Sequence, residues 1–557
     1  MTRGFEQQAA HVFQTARALF ENGEPKRWSR KQQLIEVILM ALADNTDLMR
    51  KLNMKTLWSI AVVSLWCLAT QAQPNNILLL IGDDIGIDSL HISNTNTNAT
   101  YPPIPTIQSM AENGILFSNG YAYPTCSPTR AAILTGRYGY RTGVLSPDTM
   151  DNFSANEYTL AEVMADQELG YGLASVGKWH LGEENGSPND LGGWPYFAGS
   201  LGGGMPNYSS WTRVVNGVAS NETMYATRKN VEDAMNWIDT QDTNNWFLWV
   251  GFNAAHTALH KPPNYMHSYD YLSGTSTDIS TNSRPYFEAM IEAMDFQINR
   301  LVSHVDTNNT TIIFLGDNGT DSNVIQRPYD IAGRAKGSLY EGGTHVPFLI
   351  YGADVVNGGR TNDSVVHCAD IFATILELAG GTMPTIGGED SRSLVPIVKD
   401  QAFHPADGCI LMETDILFGG TTSGRSIRDG QYKLIRIEGS SDLLFDMVAD
   451  PREANNLLSG SLSGEEQTAY DNLTNKLADA INTPYIHDAY MDGDGDFNVE
   501  IGWFHHEGLS LYRTDNLLSS DGTIVAGQEY ENNGGHALVL RDPSPPSSNA
   551  YYRVTTP

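Results

Sequence analysis

Two unbroken apolar runs, more than two hundred residues apart, constrain this chain more tightly than any other feature. Ile77-Leu78-Leu79-Leu80-Ile81 and Thr311-Ile312-Ile313-Phe314-Leu315 show no polar alternation, so each reads as a strand buried on both faces at the centre of a mostly parallel sheet. Their endings match: Gly82-Asp83-Asp84 follows the first and Gly316-Asp317-Asn318-Gly319 the second. Open α/β sheets bind ligands beyond the carboxyl ends of their strands, so the two tips meet in one crevice if the strands are neighbours. Three carboxylates and an amide oxygen gathered there, without His or Cys, repel one another until a hard cation joins them. That donor set predicts Ca²⁺ or Mg²⁺ on Asp83, Asp84, Asp317 and Asn318 and argues against zinc. Taken singly, each tip reads as a turn or a helix cap; the matched pair points to the metal.

Two more runs end in polar clusters. Gly172 to Val176 leads into Gly177-Lys178-Trp179-His180-Leu181-Gly182, and Trp246 to Phe252 leads into Asn253-Ala254-Ala255-His256. Both strands therefore predict delivery of Lys178, His180 and His256 to the metal edge, as anion ligands and proton-transfer groups. His260 and His91 read as surface residues, although His260 also fits the wall of a substrate pocket. Cys126-Ser127-Pro128-Thr129-Arg130 precedes an apolar run that reads as a helix. A thiol at that N-terminus, beside a guanidinium, is in a setting that lowers its pKa and attracts anions; the alternative is a buried structural cysteine. Lys336, in the glycine-rich stretch from Arg334 to Gly343, adds one more cation. Apolar residues at helical spacing from Tyr286 to Val305 read as core packing.

A formal net charge of −31 over 557 residues excludes nucleic acid as a partner, because phosphate recognition needs a basic face. Any field that attracts an anion must then be local. The length predicts several domains. Four cysteines do not make a disulfide scaffold, and spacing alone leaves open whether Cys368 and Cys409 pair. Residues 54–72 carry a lysine, a short apolar stretch and small residues at the end, the layout of a secretion signal beginning at Met54. The extension 1–53 then reads as lying upstream of the true start. An uncleaved membrane anchor is the alternative; in both cases the body of the protein is expected outside the cytoplasm, secreted or periplasmic.

Taken together, Gly82-Asp83-Asp84, Cys126-Ser127-Pro128-Thr129-Arg130 with Leu134-Thr135-Gly136-Arg137, Gly177 to Gly182, Gly316 to Gly319 and Lys336 to Gly343 resemble the type I, arylsulfatase-like sulfatases of the alkaline phosphatase superfamily. The resemblance implies an α/β fold: a large mixed, mostly parallel sheet flanked by helices over 73–400, and a small C-terminal α+β subdomain over 401–490. It also implies that a maturation enzyme oxidises Cys126 to formylglycine, whose hydrate attacks a sulfate ester. By position, Asp83, Asp84, Asp317, Asn318 and the modified Cys126 would hold the cation, and Arg130 would orient the diol. Lys178 and Lys336 would bind sulfate oxygens, His256 would protonate the leaving oxygen, and His180 would assist release. Ala258 stands where the family often has Pro, and Thr344-His345 where it often has Arg or Lys.

Leu444-Phe445-Asp446, Asp450-Pro451-Arg452-Glu453 and Asn456-Leu457 resemble the segment that closes the family's smaller subdomain. Within that subdomain, Ser426 to Ile437 is predicted as a strand pair around Asp429-Gly430, and Glu465 to Ile481 as a helix. Residues 491–557 read as a linker, with Asp492-Gly493-Asp494-Gly495-Asp496 as a turn, and a small β-sandwich appendage. The expected activity is release of sulfate from a sulfated carbohydrate. Competing readings are a phosphodiesterase or phosphonate hydrolase of the same fold, and a non-catalytic glycan-binding relic.

Overall fold

The computed structural model describes residues 75–482 apart from 93–98, 243, 402–407 and 418–421, and, between 485 and 555, the backbone of the strands. The expected signal at 54–72, the extension 1–53 and the Asp-Gly turn at 492–496 lie outside the described residues. Among those described, no helix is long and apolar enough to cross a membrane.

Ten strands form the large sheet: β1 (Asn76–Gly82), β2 (Ile115–Tyr121), β3 (Gly172–Lys178), β4 (Phe197–Ser200), β5 (Trp211–Val215), β6 (Val218–Glu222), β7 (Trp246–Gly251), β8 (Thr310–Gly316), β9 (Phe348–Gly352) and β10 (Arg360–His367). Their order is β10-β2-β9-β8-β1-β7-β3-β4-β5-β6. The block β8-β1-β7-β3-β4 is parallel throughout, while β9 and β5 run against it. The two apolar runs are therefore neighbours, as the crevice argument requires, with Gly82 opposite Gly316.

The helices lie on both faces: α1 (Pro105–Asn113), α2 (Cys126–Thr135), α3 (Ala226–Ile238), α4 (Ser283–Val302) and α5 (Asp370–Leu378). Strand β1 shows why its sequence lacks alternation. Ile77, Leu79 and Ile81 pack with α2 and α5 on one face; Leu78 and Leu80 pack with α1, α3 and α4 on the other. All five are completely buried, each contributing about 1.5–3 kcal/mol of transfer free energy. The stripe on α4 is core, as expected: Phe287, Met290, Ile291, Met294, Ile298 and Leu301 are buried.

Strands β11 (Ile410–Leu417), β12 (Thr422–Arg428), β13 (Tyr432–Ile437) and β14 (Leu443–Asp446) form a second, antiparallel sheet. One face packs on Leu473 and Leu477 of α6 (Gly464–Asn482). The other face, with Met412, Ile435 and Phe445, packs on Tyr121 and Val365 at the edge of the large sheet. The strand pair around Asp429-Gly430 and the following helix stand where the sequence placed them. Beyond them, seven short strands form a four-stranded and a three-stranded sheet. Their first strand, Tyr485–Met491, pairs with Phe497–Gly502, so the β structure begins a few residues before the expected linker at 491.

Candidate active site

Four adjacent strands, β8, β1, β7 and β3, bring their carboxyl ends to one edge. The register puts Ile81 and Gly177 beside Gly251 and Gly82 beside Gly316, so four glycines end the strands in one row. The chain turns sharply there. A Cβ at Gly316 would lie 1.9 Å from the Ile85 carbonyl oxygen and one at Gly177 1.9 Å from that of Gly251. Two of the residues just past this row, Asp84 and His180, have left-handed backbones, φ 61° and 63°. Such conformations cost non-glycine residues free energy and recur at functional sites.

The carboxylates converge as the sequence predicted. Single ligand atoms of Asp83, Cys126 and Asp317 lie within 4.8 Å of one another, as do those of Asp83, Asp84 and His256. The Asp84 amide donates to Asp317 Oδ1 at 3.1 Å, and Asn318 Nδ2 donates to Asp84 Oδ1 at 2.8 Å. All four oxygen donors are buried. Asp83 Oδ1 and Asn318 Oδ1 have no hydrogen-bond partner, a costly condition for buried polar atoms. Burial, together with the facing Asp83 carboxylate, pushes the Asp317 carboxyl up to about 6. Orphaned hard oxygens in a crowd of carboxylates fit a cation of the calcium or magnesium type.

Two lysines flank this cluster. Lys178 Nζ donates to Asp83 Oδ2 at 2.6 Å, both side chains fully buried. Lys336 Nζ is paired with Asp84 Oδ1. Burial works against both ammonium charges, but Asp83 and Asp84 respectively outweigh it and hold the lysines above their ordinary range. Burial likewise tends to raise the Asp84 carboxyl, yet Lys336, with His256 behind it, keeps it well below the usual carboxylate range.

Cys126 is the first residue of α2, after Thr125 in extended conformation. Its Sγ is 3.0 Å from His180 Nδ1. Ser127 Oγ donates to the His180 carbonyl oxygen at 3.0 Å, which ties the helix start to the end of β3. One expectation is corrected here. The thiol is not acidified: burial pushes Cys126 up, and the Lys178 and Lys336 charges offset this only in part. The helix N-terminus and nearby cations do not compensate for complete loss of water. The same burial, with Lys178 and Arg130 nearby, drives His180 well below its ordinary value, so its ring is neutral.

Arg130, fully buried, donates from Nη2 to Asp317 Oδ2 at 2.9 Å and from Nη1 to the Lys178 carbonyl oxygen at 2.7 Å. These bonds tie it to the acidic tip and the β3 end, while its Nε is buried without a hydrogen-bond partner. His256 is half-buried, with Nδ1 2.8 Å from the Thr257 carbonyl oxygen. His260 sits among tyrosines, with Nε2 3.0 Å from Tyr225 Oη and its ring 4.4 Å from that of Tyr208. His91 is exposed and lies against Tyr101. No disulfide joins buried Cys368 and half-buried Cys409, whose Sγ accepts from Lys476 Nζ at 3.4 Å.

Some positions escaped sequence reasoning. Thr129 Oγ1 donates to the Asp317 carbonyl oxygen at 2.7 Å. Buried Asn253 donates to Ser200 Oγ at 2.9 Å and keeps an unpartnered Oδ1. Gly203 lies against the His180 ring, where a Cβ would come within 2.2 Å of Nε2. Asn253 follows a buried strand exactly as His256 does, so its place after Gly251 was the available signal; the Gly203 contact had none.

A buried cysteine at a helix start, grouped with carboxylates and flanked by two lysines that pair with them, thus lies at the carboxyl edge of a mostly parallel α/β sheet, where such folds place their active sites. The chain belongs to the sulfatase family, whose model, described as Sulfatase, matches residues 75–381. It is similar to an arylsulfatase of Hemicentrotus pulcherrimus, 28% identical over 395 residues, covering 64% of this chain and 66% of that one. It is also similar to arylsulfatase G of Rattus norvegicus, 27% identical over 489 residues, covering 74% and 88%. Among solved structures, Ps i-CgsB in complex with k-i-k-neocarrahexaose shares the fold with TM-score 0.61 and 23% identity over 73% of this chain and 92% of that one. BT4656 in complex with its substrate D-glucosamine-2-N,6-O-disulfate does so with TM-score 0.59 and 19% identity, covering 73% and 98%.

Proposed function

We propose that this protein hydrolyses sulfate esters of a sulfated carbohydrate outside the cytoplasm, with Cys126 matured to formylglycine and a divalent cation, Ca²⁺ or Mg²⁺, on Asp83, Asp84, Asp317 and Asn318. The observation that carries this reading is the placement of Cys126 at the start of α2, 3.0 Å from His180 and grouped with Asp83 and Asp317. The hydrated aldehyde and the cation would supply the nucleophile and the polarisation of the ester. The chain's own residues do the rest. Lys178 and Lys336 hold sulfate oxygens and oppose charge as it spreads over them. His256, at the half-open side of the cluster, protonates the leaving oxygen, and neutral His180 accepts a proton at Nδ1 from the group at position 126. Arg130, held on Asp317 and the end of β3, would orient the diol.

The carbohydrate reading draws support from the fold shared with proteins solved with sugar ligands, and the extracellular reading from the signal-like stretch after Met54. The test is the mass of the proteolytic fragment containing residue 126, from a host that converts a control sulfatase, followed by assay of sulfate release from sulfated glycans. An aldehyde with sulfate release supports the proposal. An unmodified thiol in that host, or phosphodiester cleavage without sulfate release, overturns it.

A further inference from the structure

The Asp450-Pro451-Arg452-Glu453 segment takes no part in the chemistry above, yet its last residue is buried and has a left-handed backbone, φ 56°. Both ends of the segment carrying Lys336 terminate on it. The Glu453 carboxylate accepts the Glu341 amide at 2.8 Å, and the Glu453 carbonyl oxygen accepts from Arg334 Nη1 at 2.7 Å. Lys433 of β13, fully buried, bridges Glu453 and Glu341 with 2.9 Å contacts to each. The Arg334 guanidinium lies 4.2 Å from the centre of the Tyr340 ring, which in turn meets Phe445 of β14.

Between these anchors Lys336 has little slack. Its amide donates to the Thr320 carbonyl oxygen at 3.0 Å, and that of Gly337 to the Pro124 carbonyl oxygen at 2.8 Å. The Gly319 amide, next to Asn318, donates to Gly343 at 2.9 Å. A Cβ on Gly319 would fall 2.0 Å from the Gly342 carbonyl oxygen, so the turn after Glu341 rests directly on the strand end that carries Asp317 and Asn318. The buried charges are the Glu341 and Glu453 carboxylates and the Lys433 ammonium, with His345 Nδ1 3.0 Å and Arg428 Nη1 3.9 Å from Glu341 Oε2. Such a cluster is a poor source of stability, but it fixes geometry, because displacing Glu453 removes one of the two carboxylates that hold buried Lys433.

We infer that Glu453, with Lys433, is a positioning residue: the small subdomain staples both ends of segment 334–341 and thereby sets where the Lys336 ammonium stands. This rests on the role proposed for Lys336. Misplacing a charge by about 1 Å at a reacting centre can cost up to about a hundredfold in rate, and loss of the staple is expected to lower kcat at least about tenfold.

The experiment compares full-length wild type, Glu453→Gln, Arg334→Met, Lys336→Ala and the double variants Glu453→Gln/Lys336→Ala and Arg334→Met/Lys336→Ala. Each is scored for kcat and KM on a chromogenic aryl sulfate, for inhibition by inorganic sulfate, and for amide hydrogen exchange across 334–341. Glu453→Gln is expected to accelerate exchange in that segment, to lower kcat and weaken sulfate inhibition, and to change kcat less than about twofold once Lys336 is already Ala. Arg334→Met severs the other anchor and gives the same pattern if Glu453→Gln does not fold. Unchanged exchange in both variants, or a kcat loss that persists in full without Lys336, overturns the inference. The exchange readout needs no turnover, so an inactive wild type would count against the sulfatase reading without deciding this one.

Discussion

Gly203→Ala tests how closely the loop above the site governs it. A Cβ on Gly203 would stand 2.2 Å from both Cε1 and Nε2 of His180, whereas ordinary contact begins at 3.4 Å. Ring or loop must therefore retreat by about 1.2 Å, the difference between those distances. The ring has few ways to yield. His180 has a left-handed backbone, its amide donates to the Leu201 carbonyl oxygen at 2.9 Å, and its carbonyl accepts from Ser127. Displacement by that amount breaks the 3.0 Å approach of Nδ1 to position 126. Near a reacting centre such a shift costs up to about a hundredfold, and we expect kcat on a chromogenic aryl sulfate to fall between about tenfold and a hundredfold with thermal stability little changed. The neighbouring Gly202 is the control, since its Cβ would meet nothing nearer than Glu183 Oε1 at 4.0 Å; Gly202→Ala should stay within about twofold. If Gly203→Ala keeps wild-type kcat, the loop yields instead of the ring and the reasoning fails.

Other outcomes follow from the same geometry. Chelating divalent cations should lower the melting temperature and abolish turnover, with calcium restoring both, because Asp83 Oδ1 and Asn318 Oδ1 are buried without partners; a melting curve insensitive to chelator would contradict the cation site. Lys178→Met leaves the buried Asp83 carboxylate unpaired, and a kcat loss below about tenfold would exclude Lys178 from binding the transferred sulfate. His367 is buried beside Arg392, and burial foremost lowers it to about 3 from 6.5. Its contribution to stability is thus complete above pH 6.5 and lost as pH falls toward 3, at up to about 1.4 kcal/mol per pH unit. His367→Gln should therefore show a smaller drop in melting temperature from pH 7 to pH 5 than wild type, and an equal drop would rule out a neutral buried His367. Asp295, raised to about 6 mainly by burial, accepts the Thr106 and Ile107 amides at the start of α1. Its Ala variant should lose about 1 kcal/mol, read from denaturant unfolding at pH 7, and no loss would mean that α1 needs no cap from α4.

The centre of the sheet was legible because burial on both faces leaves a signature: Ile77 to Ile81 cannot alternate when each face has its own helices. The tips were legible because Asp83 and Asp317 follow such runs directly, and strand adjacency then brings their carboxylates together. What the sequence could not convey was dielectric. The Cys126 thiol rises, against expectation, because α2 starts beneath β3 and its loop, a fact of packing rather than of neighbouring residue types. Nor could spacing show that Arg130 would turn to Asp317, since helix position fixes only where a side chain begins. Glu453 was visible as part of a motif, but its contact with Glu341 spans 112 positions and joins a turn after β14 to the start of a short helix.

The strand order also carries a timetable. Of the ten strands β1 is made first but lies between β7 and β8, so one of its edges stays unpaired until Gly316 has been synthesised, 190 residues after Cys126 on the numbering of the chain. At 5–20 residues per second that interval is about 10–40 s. Asp317, the partner that locks α2 through Thr129 and Arg130, arrives at its end. A residue with 1% exposure in the finished protein thus stays uncovered on that side while the middle of the chain is translated, the interval in which the maturation proposed above would act, and the closing of the sheet ends it.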